Sequence, residues 1–143
     1  MNVETILRNK GRSVVTIAPD MRVSNAVMIL HRKKIGALVV SRDGAAVDGI
    51  LSERDIVQAL AEHGAELLEL PVSSVMVSRV FTCAPGDSVA ELMSQMTDRR
   101  IRHLPVVEDG VLIGIVSIGD VVKSRVDEVE FEASEMRHMI AGA

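Results

Sequence analysis

The sequence predicts an α/β fold of the α+β type: two tandem β-α-β-β-α repeats packed around a pseudo-twofold axis. Three observations carry that expectation. The chain matches itself at a displacement of 66 residues, each copy holds an apolar stripe at helical spacing, and each copy then holds two short apolar runs about an Asp-Gly dipeptide.

The self-match begins where Val14-Val15-Thr16-Ile17-Ala18-Pro19 falls on Val80-Phe81-Thr82-Cys83-Ala84-Pro85. Val23, Ile35, Leu38, Val40, Asp43 and Gly44 fall on Val89, Ile101, Leu104, Val106, Asp109 and Gly110. After a one-residue gap at Ala46, Gly49, Ile50, Ser52, Asp55 and Val57 fall on Gly114, Ile115, Ser117, Asp120 and Val122. These are 15 identities over 43 aligned positions, several-fold above what unrelated segments share, so the chain is a tandem duplication.

Taken in order, residues 1–13 form an N-terminal segment with a short helix from Val3 to Lys10 ended by Gly11. The first repeat spans 14–62, a linker 63–79, the second repeat 80–127 and a C-terminal helix extension 128–143. Within the repeats, Val23, Ala26, Val27 and Leu30, and again Val89, Leu92, Met93 and Met96, mark amphipathic helices. The runs Ala37-Leu38-Val39-Val40 and Leu104-Pro105-Val106-Val107, the dipeptides Asp43-Gly44 and Asp109-Gly110, and the runs Val47 to Leu51 and Leu112 to Val116 read as hairpins. Pro105 lacks an N–H, which predicts an edge or bulge there with backbone groups open to a ligand. A second helix opens at Ser52 or Ser117, and the later one is expected to run toward Ile140. Units of this size bury too little surface alone, so the two are expected to pack together and leave two related clefts between them.

Composition narrows the function. With 48% apolar and 25% charged residues the chain is globular, not disordered. Two Phe and no Tyr or Trp argue against base-stacking nucleic-acid modules and lead us to expect any planar ligand against aliphatic side chains. A net charge of -4 is the wrong sign for a phosphate backbone or an anionic membrane, so neither is an expected partner. One cysteine, Cys83, excludes an intrachain disulfide, the first residues lack signal-peptide character, and no apolar run approaches the roughly 20 residues that span a bilayer, so a cytoplasmic location is expected. Hydrolase elbows, His-Glu-x-x-His, Walker and Gly-x-Gly-x-x-Gly loops are all missing, and His31, His63, His103 and His138 show no metal-ligand spacing, so neither an enzyme nor a catalytic cofactor is expected.

A duplicated β-α-β-β-α unit with an Ala-Pro opening, an apolar-Pro-Val-Val strand, an Asp-Gly turn and a Gly-Ile-Val-Ser-x-x-Asp close resembles a tandem pair of CBS (cystathionine-β-synthase) domains over nearly the whole chain. The resemblance implies a regulatory sensor that binds an adenosine-containing ligand between its repeats, acts on a partner protein of unstated identity, and dimerises into a flat disc. AMP, ADP, ATP and NAD(H) fit this expectation, with S-adenosylmethionine ranked behind them. A ligand-free dimerisation module is the alternative.

Ser52 with Asp55, and Ser117 with Asp120, are helix caps by spacing; a carboxylate there also suits two ribose hydroxyls, and the serine hydroxyl a phosphate. Arg102 and His103 are expected to bring phosphate contacts to the cleft of Ser117 and Asp120, with Arg54 a similar candidate beside Asp55, while Arg99 and Arg100 stay undecided between ligand and solvent. On this basis the second repeat's cleft is expected to bind more tightly. Thr16, Ala18, Thr82 and Ala84 resemble the family's adenine-contacting segments, Ile35, Ile101 and Pro105 are wall candidates that core packing would also explain, and Ala37, at the first copy's position of His103, is a further nucleotide-binding candidate. A homodimer is expected, with the first helix of each copy or the Ile118 to Ile140 helix in its interface.

Overall fold

In a computed structural model, which describes residues 1–142, the repeats form as two matched units. Helix α1 (Val3–Lys10) starts on Asn2, whose Oδ1 accepts the Thr5 N–H at 3.1 Å, and stops at Gly11, whose φ of 98° suits a residue without Cβ. The first repeat follows as β1 (Thr16–Ile17), α2 (Val23–Lys33), β2 (Ala37–Val40), β3 (Gly49–Ser52) and α3 (Glu53–His63). The second comprises α4 (Val89–Arg99), β4 (His103–Glu108), β5 (Val111–Ser117) and α5 (Ile118–Gly142). No helix among the described residues is long and apolar enough to cross a membrane.

In the first repeat β1 runs parallel to β2, and β2 antiparallel to β3, with Leu38 opposite Leu51. The second repeat keeps the antiparallel pair β4–β5, but its first strand shrinks to a single bridge at Cys83. Pro105 is the cause: it stands where the first repeat has Val39 and has no N–H to donate. Cys83 N–H still donates to Pro105 O at 3.0 Å and Val107 N–H to Cys83 O at 2.8 Å. The β4–β5 register shifts by one residue at Val106/Val107, where Ile113 of β5 is the extra residue, and the Pro105 carbonyl is committed to Cys83 and is not open to a ligand.

The two hairpins also differ. Asp109 (φ 52°) and Gly110 (φ 78°) make a two-residue turn with both residues left-handed. In the first repeat only Gly44 is left-handed, and Asp43 instead accepts the N–H groups of Ala45 and Ala46 at 2.9 and 2.8 Å. The extra residue lengthens this loop, so Val47 lies outside β3, contrary to its assignment to a strand.

The linker is structured, with 3-10 turns at Gly64–Glu69 and Val72–Ser74. Val72 N–H donates to Met21 O and Ser73 N–H to Pro19 O, at 2.7 and 2.9 Å. At the matching positions of the second repeat, Val3 N–H donates to Asp87 O and Glu4 N–H to Pro85 O, at 3.0 and 2.9 Å. Each lead-in segment therefore docks on the repeat it does not lead into. The apolar side chains follow: Val3, Ile6 and Leu7 complete the core of Leu92, Met96, Leu104 and Val116, while Leu67 and Val72 complete that of Val23, Leu30, Leu38 and Leu51.

Candidate functional site

A cleft of about 780 Å3 lies between the repeats. One wall is the start of α3. Ser52 and Asp55 form a reciprocal cap there: Ser52 N–H and Oγ–H both donate to Asp55 Oδ2 at 2.9 Å, and Asp55 N–H donates to Ser52 Oγ at 3.2 Å. The cap leaves Asp55 Oδ1 without a protein donor among the described residues, and Asp55 lines the cleft together with Glu53, Arg54 and Val57. The opposite wall belongs to the second repeat and its lead-in: Arg79, Phe81, Arg100, Ile101, Arg102 and His103. Four arginines oppose two carboxylates, so the cleft is suited to an anion.

Arg102 and His103 thus meet the Ser52/Asp55 end of the first repeat's helix as well as the Ser117 and Asp120 start beside which they were expected. The first residues of β4 lie between both helix starts. Arg102 O accepts the Ile118 N–H at 2.8 Å, and Gly36 O, its counterpart, accepts the Glu53 N–H at 3.0 Å. His103 is opposite Ser117 in the β4–β5 register, and its ring lies against Gly36, where a Cβ would stand 3.3 Å from it. Burial, then the charges of Arg102 and Lys10, hold the His103 imidazole below its usual range, against Asp120 and Glu53.

Ser117 and Asp120 repeat the cap, with Ser117 N–H donating to Asp120 Oδ2 at 2.9 Å and Asp120 N–H to Ser117 Oγ at 3.1 Å. Here the second donor to Oδ2 is a cation, because Lys10 Nζ reaches it at 2.7 Å where Asp55 Oδ2 has the Ser52 hydroxyl. Burial would raise the Asp120 carboxyl, but the bonds from Lys10 and Ser117 outweigh it and hold the group below its usual value.

Of the candidate residues, the large cleft gathers Ser52, Arg54, Asp55, Ile101, Arg102 and His103. Thr16, Ala18, Thr82, Ala84, Ala37 and Pro105 are not among its lining residues, and Ala37 and Pro105 are buried in strands. Arg79 and Phe81 are additions that the residue patterns did not single out. Phe81 is one of only two aromatic residues, is 46% exposed, and is held by the Arg99 guanidinium 4.1 Å from its ring centroid. A planar ligand here would meet an aromatic as well as aliphatic wall; the substitution of Phe81 for the first copy's Val15 was the available signal. Cys83 is buried, and burial followed by the Asp87 charge pushes its thiol up to about 12, which leaves no thiolate for nucleophilic chemistry near neutrality.

The family model for the CBS domain matches the chain twice, over residues 7–62 and 72–127. The mitochondrial CBS domain-containing protein CBSX3 of Arabidopsis thaliana is 34% identical over a span covering 98% of this chain and 72% of that protein. Among solved structures, the CBS-domain containing protein ATU1752 from Agrobacterium tumefaciens is 46% identical with a TM-score of 0.84, covering 87% of this chain and 99% of its own. The CBS domain pair of protein MJ0100, solved in complex with 5'-methylthioadenosine and S-adenosyl-L-methionine, shares the fold at 23% identity and a TM-score of 0.78, covering 90% and 98% of the two chains.

Proposed function

The chain belongs to the CBS domain family as a tandem pair, and from that premise we propose that it is a regulatory sensor binding an adenine nucleotide in the cleft at Asp55. The carrying observation is the meeting, in about 780 Å3, of a capped helix start with an uncommitted carboxylate oxygen and an opposing wall of arginines. In this reading Asp55 accepts from the ribose hydroxyls, and Phe81 and Ile101 offer apolar contact to the base. Arg79, Arg100, Arg102 and His103 take the phosphates.

The MJ0100 pair supports an adenosyl ligand in general, and the charge of this cleft selects within that class. Four arginines favour the phosphates of AMP, ADP, ATP or NAD(H) over the sulfonium cation of S-adenosylmethionine. The protein is not an enzyme in this reading and uses no catalytic cofactor; occupancy shifts its conformational population toward a state that a partner protein recognises. A thermal-shift panel of these five ligands tests it: at 100 times its dissociation constant a ligand stabilises the chain by about 2.7 kcal/mol. An unmoved melting point across the panel would reject the reading.

A dimerisation module is the second reading, favoured by α5. Val122, Val126, Val129, Ala133, Met136 and Ile140 follow at alternating steps of four and three, all exposed, with Ile140 at 73%. That is the seam of a coiled coil, and Lys123 and Arg125 flank it on the first heptad as Glu130 and Glu132 do on the next, so two copies can pair opposite charges. The seam is compatible with a homodimer of the sensor as well. Sedimentation of the parent chain beside a Val129→Glu, Met136→Glu variant decides whether α5 is the interface.

A further inference from the structure

We propose that the chain holds one nucleotide, at Asp55, because Lys10 is a built-in occupant of the matched position at Asp120. The proposal rests on the nucleotide reading and specifies its stoichiometry. Duplication would otherwise suggest two equal sites, since both helix starts carry the same Ser-x-x-Asp cap with nearly the same hydrogen-bond lengths.

The difference arises one strand away. In the first repeat the carbonyl of Ile50 accepts a backbone N–H, that of Val77 in the linker, at 2.9 Å. In the second repeat the matching carbonyl, that of Ile115, is met by a side chain: Lys10 Nζ donates to it at 2.9 Å and to Asp120 Oδ2 at 2.7 Å. The lead-in of the second repeat thus satisfies the strand with a neutral amide and leaves Asp55 with no cation partner among the described residues. Helix α1 satisfies the strand with a cation, and that cation takes the Asp120 carboxylate as its counter-ion. The ammonium shares Oδ2 with the Ser117 N–H and neutralises the carboxylate that would have to draw two sugar hydroxyls, and a neutral hydroxyl is a weaker partner for a carboxylate than a charged donor is.

Lys10 is tethered: it closes α1, whose Val3, Ile6 and Leu7 are in the core of the second repeat, and Gly11 ends the helix immediately after it.

Isothermal titration of the full chain with AMP, and in parallel with ATP, tests the assignment. The parent chain is expected to take one nucleotide, and Lys10→Met, with Lys10→Gln as a second variant, to take two. Lys10→Arg keeps the ion pair and is expected to stay at one. Asp55→Asn is expected to weaken the single binding event of the parent chain about ten- to a hundredfold, and Asp120→Asn to leave it unchanged. Two nucleotides on the parent chain, or one on both Lys10→Met and Lys10→Gln, would overturn the occupancy by Lys10 while leaving the nucleotide reading in place. No binding to the parent chain or to any variant would overturn that reading, and this proposal with it.

Discussion

Asp55 has one oxygen for the cap and one for the proposed ligand. Oδ2 closes the helix cap, while Oδ1 has no protein donor among the described residues. Asn keeps one acceptor and puts an amide donor in the other position, where it would face the donors of a sugar. Asp55→Asn is therefore expected to weaken nucleotide binding about ten- to a hundredfold, equivalent to ~1–3 kcal/mol, while the unliganded chain melts within a few degrees of the parent. Titration and a melting curve check the two halves separately. His103 carries a pH dependence. Its folded value lies below the unfolded one, so the unfolded chain binds a proton first on acidification; the stability is fully present above the ordinary histidine range and is lost as pH falls through it. Melting points of the parent chain are expected to drop between about pH 7 and pH 5, and His103→Gln to flatten that slope. A parallel slope in the variant would assign the titration to another group.

Helix α1 shows how a short element can matter more than its length. Its eight residues place Val3, Ile6 and Leu7 in the core of the second repeat, with Leu7 only 1% exposed. Leu7→Ala is expected to cost about 2–5 kcal/mol, read from denaturant unfolding. Leu7 lies over Gly114, where an added Cβ would stand 2.7 Å from Leu7 Cδ2. Gly114→Ala is thus expected to destabilise through overpacking, and Leu7→Ala to relieve part of that strain, so the double variant should be less damaged than the sum of the two. Additive losses would show that β5 adjusts on its own.

Because each core is completed by a segment that leads into the other repeat, the chain should behave as one cooperative unit. The full chain is expected to unfold in a single transition by circular dichroism. A fragment of residues 80–142, which lacks Val3, Ile6 and Leu7, is expected to show no cooperative transition. A fragment melting as sharply as the parent would mean that α1 is a passenger on a self-sufficient domain.

The duplication, the order of elements, the two Ser-x-x-Asp caps and the long last helix were legible in the sequence, because each rests on spacing along one chain: helical periodicity, a capping residue, an Asp-Gly turn. Pro105 foretold the break in its pairing with the first strand for the same reason, since a missing N–H is a property of the residue itself. What the linear order could not contain was which segment completes which core, and hence which cations meet which carboxylate. Arg102 and His103 follow Ser52 and Asp55 by some 50 positions and precede Ser117 and Asp120 by fewer, so proximity in sequence pointed only to the nearer helix start, beside which His103 does lie. Packing of the two repeats added the more distant cap to their surroundings. Docking of α1 on the second repeat brought Lys10 to Asp120, more than a hundred residues away, and only that long-range contact makes two matched carboxylates unequal.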